Sequence, residues 1–369
     1  MEQVKKPALR ENGLDLLRII AAFLVVQVHI FVNYKAFSAG SIYASEITPD
    51  PVAVFILTFM RCQNWAVPAF FMVSGAFILS TGRTGDFGSF YRKTWKKLGI
   101  PTLVFSILYF VVNPFYYMAI DAMPDFWTAF TFELTNTLKG TPADHMWYMF
   151  VLIGMYLCAP FIVLAKEKMG SRMFTAVSFT VLVWGLISAL TQRPEYYWSV
   201  SAVADMLGMF MVGNVIHEKI GQKKNAKLAL LFISLGIVLC VLLVFANGAG
   251  KTPIGMIFGG LVPYNPLVSV SGIMFFTGVR LLDIKRNFYG PAELTYYIYL
   301  VHLFALMPVN ILMVRKFVNI RGMVFGTPGS IAGIIVSSAV GFVLSGIVSF
   351  IIVRMEKMIK EKRGEGNVG

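Results

Sequence analysis

The sequence predicts an all-α integral membrane protein of about ten transmembrane helices, and three observations lead there. Hydrophobic residues make up 57% of the 369, with a mean hydropathy of +0.70, above the roughly 45–50% usual for soluble domains. Apolar runs recur at lengths that match a bilayer core about 30 Å thick, which needs roughly 20 residues per helix. Basic residues gather in alternate segments between those runs, the pattern that cytoplasmic loops impose.

Taken in order, the expected spans are 14–33, 60–81, 98–120, 146–165, 173–190, 201–217, 228–246, 264–282, 292–313 and 331–353. The run before the first span is basic, and the span itself is too long for a signal h-region and carries Arg18, so it reads as an uncleaved helix. The second is interrupted by Arg61, Asn64 and Pro68, which predicts a kinked or partly re-entrant helix. With the N-terminus inside, inner segments hold twenty-three of the 32 Lys and Arg residues and outer segments hold seven, with one blemish at 315–321. Both termini are therefore expected in the cytoplasm. The organisation is a short N-terminal segment (1–13), one membrane domain (14–353) and a basic tail (354–369), without an internal repeat.

The net charge of +13 raises the possibility of a nucleic-acid partner, but the basic residues form no single patch or arm, so no such partner is expected. The three cysteines, Cys62, Cys158 and Cys240, are far apart and make no C-x-x-C, so neither a disulfide framework nor a metal site is expected.

The first span, "GLDLLRIIAAFLVVQVHIFVN", carries the chemistry. Asp15, Arg18, Ala22, Val25, His29 and Asn33 fall on one stripe at 3,4 spacing. Eleven residues rise about 16 Å and turn a helix through three turns plus about 20°, so Arg18 and His29 share a face at different depths. Ionisable residues in a span usually face a protein interior or a wet cavity. One reading makes Arg18 an anchor that reaches the inner headgroups and pairs with Asp15, with His29 as an interhelical hydrogen-bonding residue. The other uses both: a guanidinium suits phosphate at the inner mouth, and an imidazole suits proton transfer farther in. Coenzyme A thioesters have the matching shape, anionic at one end and reactive at the other.

At these residues the chain resembles the acyltransferase 3 family of bacterial multi-pass membrane proteins. "LDLLRIIAAFLVVQVHI" is similar to the family's first helix, in which an arginine and a histidine are separated by ten residues. "VPAFFMVSGAFIL" is similar to its second-helix motif, with Ser74 and Gly75. "FYRKTWKKLGIP", "HMWYMFVLIGMYLCAPFI" and "YYIYLVHLFAL" resemble the third, fourth and late helices, in order. The resemblance implies a bacterial inner-membrane O-acyltransferase. It would move an acyl group, commonly acetyl from acetyl-CoA, to a hydroxyl of a carbohydrate or cell-envelope precursor. No permanently bound cofactor is implied, since acyl-CoA is a substrate. His29 and Arg18 would be the catalytic pair, with Arg18, Arg92 and Lys93 holding the donor.

Further candidates are weaker. His302, Arg61, Asn64 and Asp205 are placed on the acceptor or auxiliary side, each with a structural alternative: a hydrogen-bonding histidine, a snorkelling arginine, a cap, or a partner for Arg61. Ser74 lacks a Gly-x-Ser-x-Gly elbow, so Ser74-Gly75 reads as a close-packing pair. His145 and Trp147 read as the start of a helix with an interface anchor. The rival function is a transporter of a small polar solute, with the charged stripe lining its path.

Overall fold

The structure is a computed structural model that describes residues 11–80, 86–191, 200–263 and 265–362. Lys5, Lys6, Arg10, Arg83, Arg193 and Arg363 of the basic pattern lie outside the described residues. Those residues form helices and connections, with no strand among them.

The chain begins with α1 (Asn12–Ala39), followed by α2 (Pro51–Arg61), a 3-10 turn at Cys62–Trp65 and α3 (Ala66–Ile78). The expected kink in the second span is this turn. α2 starts nine residues earlier than the expected span, because Asp50 caps it by accepting from the Ala53 N–H at 2.7 Å and Pro51 needs no N–H partner there. Next come α4 (Phe87–Thr94), a π-turn at Trp95–Gly99 and α5 (Ile100–Ala119). Pro101 accounts for the π-turn: its ring would crowd the Lys97 carbonyl in a regular helix, and the wider turn instead bonds Ile100 N–H to the Trp95 carbonyl.

The connection expected between the third and fourth spans contains α6 (Phe126–Leu138), which packs on α5 and leaves Trp127 and Leu138 exposed. α7 (Trp147–Thr191) is broken at Gly170, whose φ of 73° and ψ of 166° reverse the chain without a Cβ clash. The expected fourth and fifth spans correspond to its two halves. α8 (Val200–Ile220), α9 (Ala226–Gly248), the short α10 (Pro253–Phe258) and α11 (Pro266–Leu281) follow. α12 (Tyr289–Val309) passes through a π-turn at Asn310–Val314 into α13 (Arg315–Phe317). The last helix, α14 (Pro328–Lys362), continues nine residues beyond the expected end of its span.

Seven helical stretches among the described residues are long and apolar enough to cross a membrane: 12–39, 51–78, 87–119, 147–189, 226–248, 289–317 and 328–362. α11 is shorter but apolar. Large apolar side chains such as Leu103, Ile107, Val111, Leu230, Leu231 and Phe350 are exposed around the outside, as a lipid-facing surface requires.

α1 is the central helix and packs against α3, α11, α12 and α14. Leu14, Leu17, Ala21, Val26, Ile30 and Tyr34 are nearly inaccessible along it. The basic blemish at 315–321 has a local explanation. Arg315 pairs with Asp121 at 2.7 Å and Arg321 with Glu46 at 3.7 Å, so carboxylates from neighbouring connections offset both charges.

α3 and α8 cross closely. A Cβ on Gly75 would overlap the Phe210 carbonyl, and one on Gly213 would overlap the Met72 backbone. Small residues let membrane helices approach closely enough for dispersion to hold them. Ser74-Gly75 is thus a packing pair on its glycine side. Gly75→Ala should destabilise the purified protein by about 1–3 kcal/mol, visible as a lower thermal midpoint in detergent, whereas Gly154→Ala, with open space around its Cβ, should leave the midpoint unchanged.

Candidate functional site

One end of the bundle holds a cavity of about 890 Å³. Four chain segments bring polar groups to it: the start of α1 (Arg18), the α4–α5 junction (Lys93, Lys96, Lys97), the start of α12 (Tyr289, Glu293) and the end of α14 (Glu356, Lys357, Lys360). Lys93, Lys96 and Lys97 share a face because their spacing of three and four residues matches a helical turn. Farther in, the walls turn aromatic, with Phe70 and Ser74 from α3, Tyr148 and Tyr156 from α7, and Tyr296 and Tyr299 from α12. Arg18 is 29% exposed and lies 3.6 Å from Asp15, a loose pair that leaves the guanidinium facing the cavity.

Behind the inner aromatic wall, outside the cavity lining itself, lies a cluster of three histidines from different parts of the chain. His29 lies on α1, His145 just before α7 and His302 on α12. The ring centroids are 5.0 Å apart for His29–His302, 4.6 Å for His145–His302 and 6.2 Å for His29–His145. Tyr299 joins cavity to cluster, because it lines the cavity and its ring lies 5.3 Å from His145 and 5.8 Å from His302. Its hydroxyl donates to the His145 carbonyl at 2.5 Å, pinning the segment that carries His145 to α12. Tyr109 on α5 closes another side, stacked on Phe304 at 3.9 Å, 5.2 Å from the His145 ring, and donating to the Leu300 carbonyl at 2.8 Å.

Hydrogen bonding determines the tautomer of one of these rings. His302 Nδ1 is 2.7 Å from the Tyr299 carbonyl oxygen. A carbonyl only accepts, so Nδ1 carries the proton and Nε2 presents a lone pair. His302 and His145 are both buried, and His302 Nε2 and both ring nitrogens of His145 have no hydrogen-bond partner. Buried polar atoms are normally satisfied, so a concentration of unpaired ring nitrogens makes this the candidate functional cluster. His29 is only half-buried, and Arg61 is close enough for its charge to act on it. Among the described residues, no three or more His, Cys, Asp or Glu side chains are placed to hold a metal ion.

The other sequence candidates are distributed as follows. Arg18 and Lys93 line the cavity, while Arg92 is exposed and outside its lining. His29 and His302 meet. Arg61 is near them. Asn64 donates to the Leu261 carbonyl and so ties the 3-10 turn to the α10–α11 connection. Asp205 is buried in α8 and accepts from Ser269 of α11 at 2.9 Å, away from the cavity lining. His145 is the residue that sequence reasoning undervalued. Its one signal was a histidine two residues before Trp147, which also fits an ordinary helix start at an interface.

The contact between α5 and α6 is polar as well. Glu133, almost wholly buried, accepts from Tyr117 at 3.3 Å, and burial pushes its carboxyl up to about 7. Burial raises the carboxyl of Asp144, next to His145, in the same way.

Comparison with known proteins gives one match. The model of the acyltransferase 3 family, described as an acyltransferase domain, matches residues 11–353. No curated protein and no solved structure matches the chain.

The Tyr299 hydroxyl bond generates a test of the cluster's architecture. Tyr299→Phe should cost about 1 kcal/mol of stability, the net worth of one neutral hydrogen bond. It should also raise cysteine-reagent labelling of a His145-flanking reporter, Asp144→Cys, in a variant stripped of its native cysteines. Unchanged labelling would mean that α12 does not hold the segment.

Proposed function

The chain belongs to the acyltransferase 3 family, and from that premise we propose that it transfers an acyl group from acyl-CoA to a hydroxyl of a carbohydrate or cell-envelope precursor. Acetyl is the acyl group favoured. The observation that carries this reading is the cavity itself, which runs from Arg18 and the lysines, past Tyr148 and Tyr299, to rings in contact with His145 and His302. An anionic nucleotide fits the basic mouth and a narrow pantetheine arm fits the aromatic interior. The thioester then arrives beside the histidines.

We read ten spans by counting α7 as two helices about Gly170 and adding α8 and the shorter α11 to the six other long stretches. An even number puts both termini on one side, and the basic bias assigns that side to the cytoplasm, where CoA esters are made. A bacterial inner membrane suits this arrangement, with the acceptor approaching the histidines from the opposite face.

The proposed chemistry uses each ring differently. In the donor complex, His302 Nε2, whose lone pair is otherwise unused, accepts a hydrogen bond from one His29 nitrogen and leaves the other free as a base. As the acceptor hydroxyl attacks the thioester carbonyl, its proton passes to His29. The C–O bond forms, the C–S bond breaks, and the proton held on His29 moves on to the departing sulfur as CoA thiol. His145 supplies a ring N–H to the developing oxyanion, a role in which a preorganised donor is worth most in a water-poor site. Arg18 steers the donor by a planar fork on phosphate, which an ammonium does not reproduce.

Three outcomes are expected on detergent-purified protein. Wild type should hydrolyse acetyl-CoA slowly or transfer its acyl group, whereas solute flux without CoA dependence would indicate a transporter. His29→Ala should lower single-turnover transfer by about 10²–10⁴-fold while CoA binding survives. Arg18→Lys should impair donor use although charge is retained. Normal transfer by His29→Ala would overturn the assignment of the base.

A further inference from the structure

The sequence reading treats the basic tail as topology-setting charge, but the structure gives its helical part an orientation. α14 has 35 residues, about 52 Å of helix, which exceeds a bilayer core about 30 Å thick, and its last turns contribute to the cavity lining. Val353, Glu356, Lys357, Ile359 and Lys360 line the cavity. Four of them, Val353, Glu356, Lys357 and Lys360, have the i, i+3, i+4 and i+7 spacing of one helix face, and both lining lysines belong to it. Arg354 and Lys362 of the same helix are exposed and outside the lining. Basic residues that served only to set topology would have no reason to be sorted by face.

Lys93, Lys96 and Lys97, from the separate α4–α5 junction, line the same cavity. Two side-chain ties hold the α14 face against α12: Lys357 pairs with Glu293 at 2.7 Å, and Tyr297 donates to Glu356. Lys357 is 56% exposed and Glu293 30%, so this ion pair is exchangeable and a stronger anion displaces the carboxylate at little cost.

We propose that the cytoplasmic extension of α14 is a second anion-binding jaw, separate from the α4–α5 lysines, and that Lys357 and Lys360 contact a phosphate of the donor nucleotide. The inference rests on the reading of the cavity as an acyl-CoA site, and it adds a specificity for donors with two separated anionic groups. Arg18 and one lysine cluster suffice for a single diphosphate. A second cluster on a separate helix matches a ligand that carries phosphate at two places, as the 3′-phosphorylated nucleotide of CoA does. Glu293 then competes with that phosphate for Lys357 and holds the jaw in register when no donor is present.

The test is calorimetric titration of CoA into the full-length protein in neutral phosphatidylcholine nanodiscs. The double variant Lys357→Ala/Lys360→Ala should bind CoA about tenfold more weakly than wild type. The charge-matched control Arg354→Ala/Lys362→Ala should bind like wild type, and Glu293→Gln should bind more tightly because Lys357 is released. Dephospho-CoA should show a smaller difference between wild type and the jaw variant than CoA does. If wild type binds CoA and the jaw variant matches it, the second jaw is refuted while the donor site stands. Equal weakening by the control pair would reduce the effect to general charge and refute the proposal. A difference that appears only when phosphatidylglycerol is added would assign the face to lipid headgroups and refute it too. Absence of CoA binding by wild type would overturn the reading of the cavity, and the jaw with it.

Discussion

The rest of the structure depends on the need to find partners for ionisable groups inside an apolar bundle. Leaving a buried polar group unpaired costs several kcal/mol in hydrocarbon. α1 presents Asp15, Arg18, Gln27, His29 and Tyr34 within one membrane-length helix, and its neighbours are arranged around that demand. Gln27 donates to the Met60 carbonyl at 3.1 Å, where α2 nears its end, and Tyr34 donates to the Met323 carbonyl at 2.7 Å beyond α13. Asp15 and Arg18 keep each other's company. His29 alone is surrounded by two further imidazoles, and this exception is where the proposed chemistry is placed.

The same requirement explains the framework beside the start of α1 but outside the cavity lining. Arg280, 1% exposed on α11, pairs with Glu11 at 3.0 Å, donates to His217 Nδ1 at 3.1 Å and donates to the Gly221 carbonyl. Lys224 donates to the Arg280 carbonyl at 3.0 Å. Lys166 bridges the Leu79 carbonyl, Asn214 and Glu218. Removing one partner from such a lattice leaves a charge buried without compensation, so these residues fix how α7, α8 and α11 meet the start of α1. The cations at the cavity are organised differently. Lys93, Lys96, Lys97 and Lys360 remain exposed and face open volume. One set of cations is committed to holding the fold, and the other is available to a ligand.

Close packing supplies the remaining constraint. Lipid tails are as apolar as leucine, so helices gain little from hiding apolar surface from each other and must associate by contact. The Gly75 and Gly213 crossing brings α3 against α8, and α3 in turn presents Phe70 and Ser74 to the cavity. The wall of the site is therefore positioned by a contact made on the far side of the same helix.

Sequence alone determined the all-helical membrane class, because an apolar run near 20 residues has few other solutions in a bilayer. It also determined the shared face of Arg18 and His29, since helical periodicity is a local property. The positive clusters and the family motifs followed from composition and order along the chain. What tertiary structure decided is everything that depends on separate segments meeting. His145 and His302 are 157 residues apart in numbering and 4.6 Å apart by ring centroid, and no local pattern encodes that approach. Arg92 and Lys93 are neighbours in sequence, yet only Lys93 lines the cavity, because adjacent residues point about 100° apart on a helix. Asp205 stood open in the sequence as an auxiliary group or a partner for Arg61, and the structure gives it Ser269 as a hydrogen-bond partner. The lysines of α14 looked like topology signals, and one face of them turns to the cavity because α12 packs against that helix. Periodicity fixes which residues share a face, but only the packing of helices decides what that face meets.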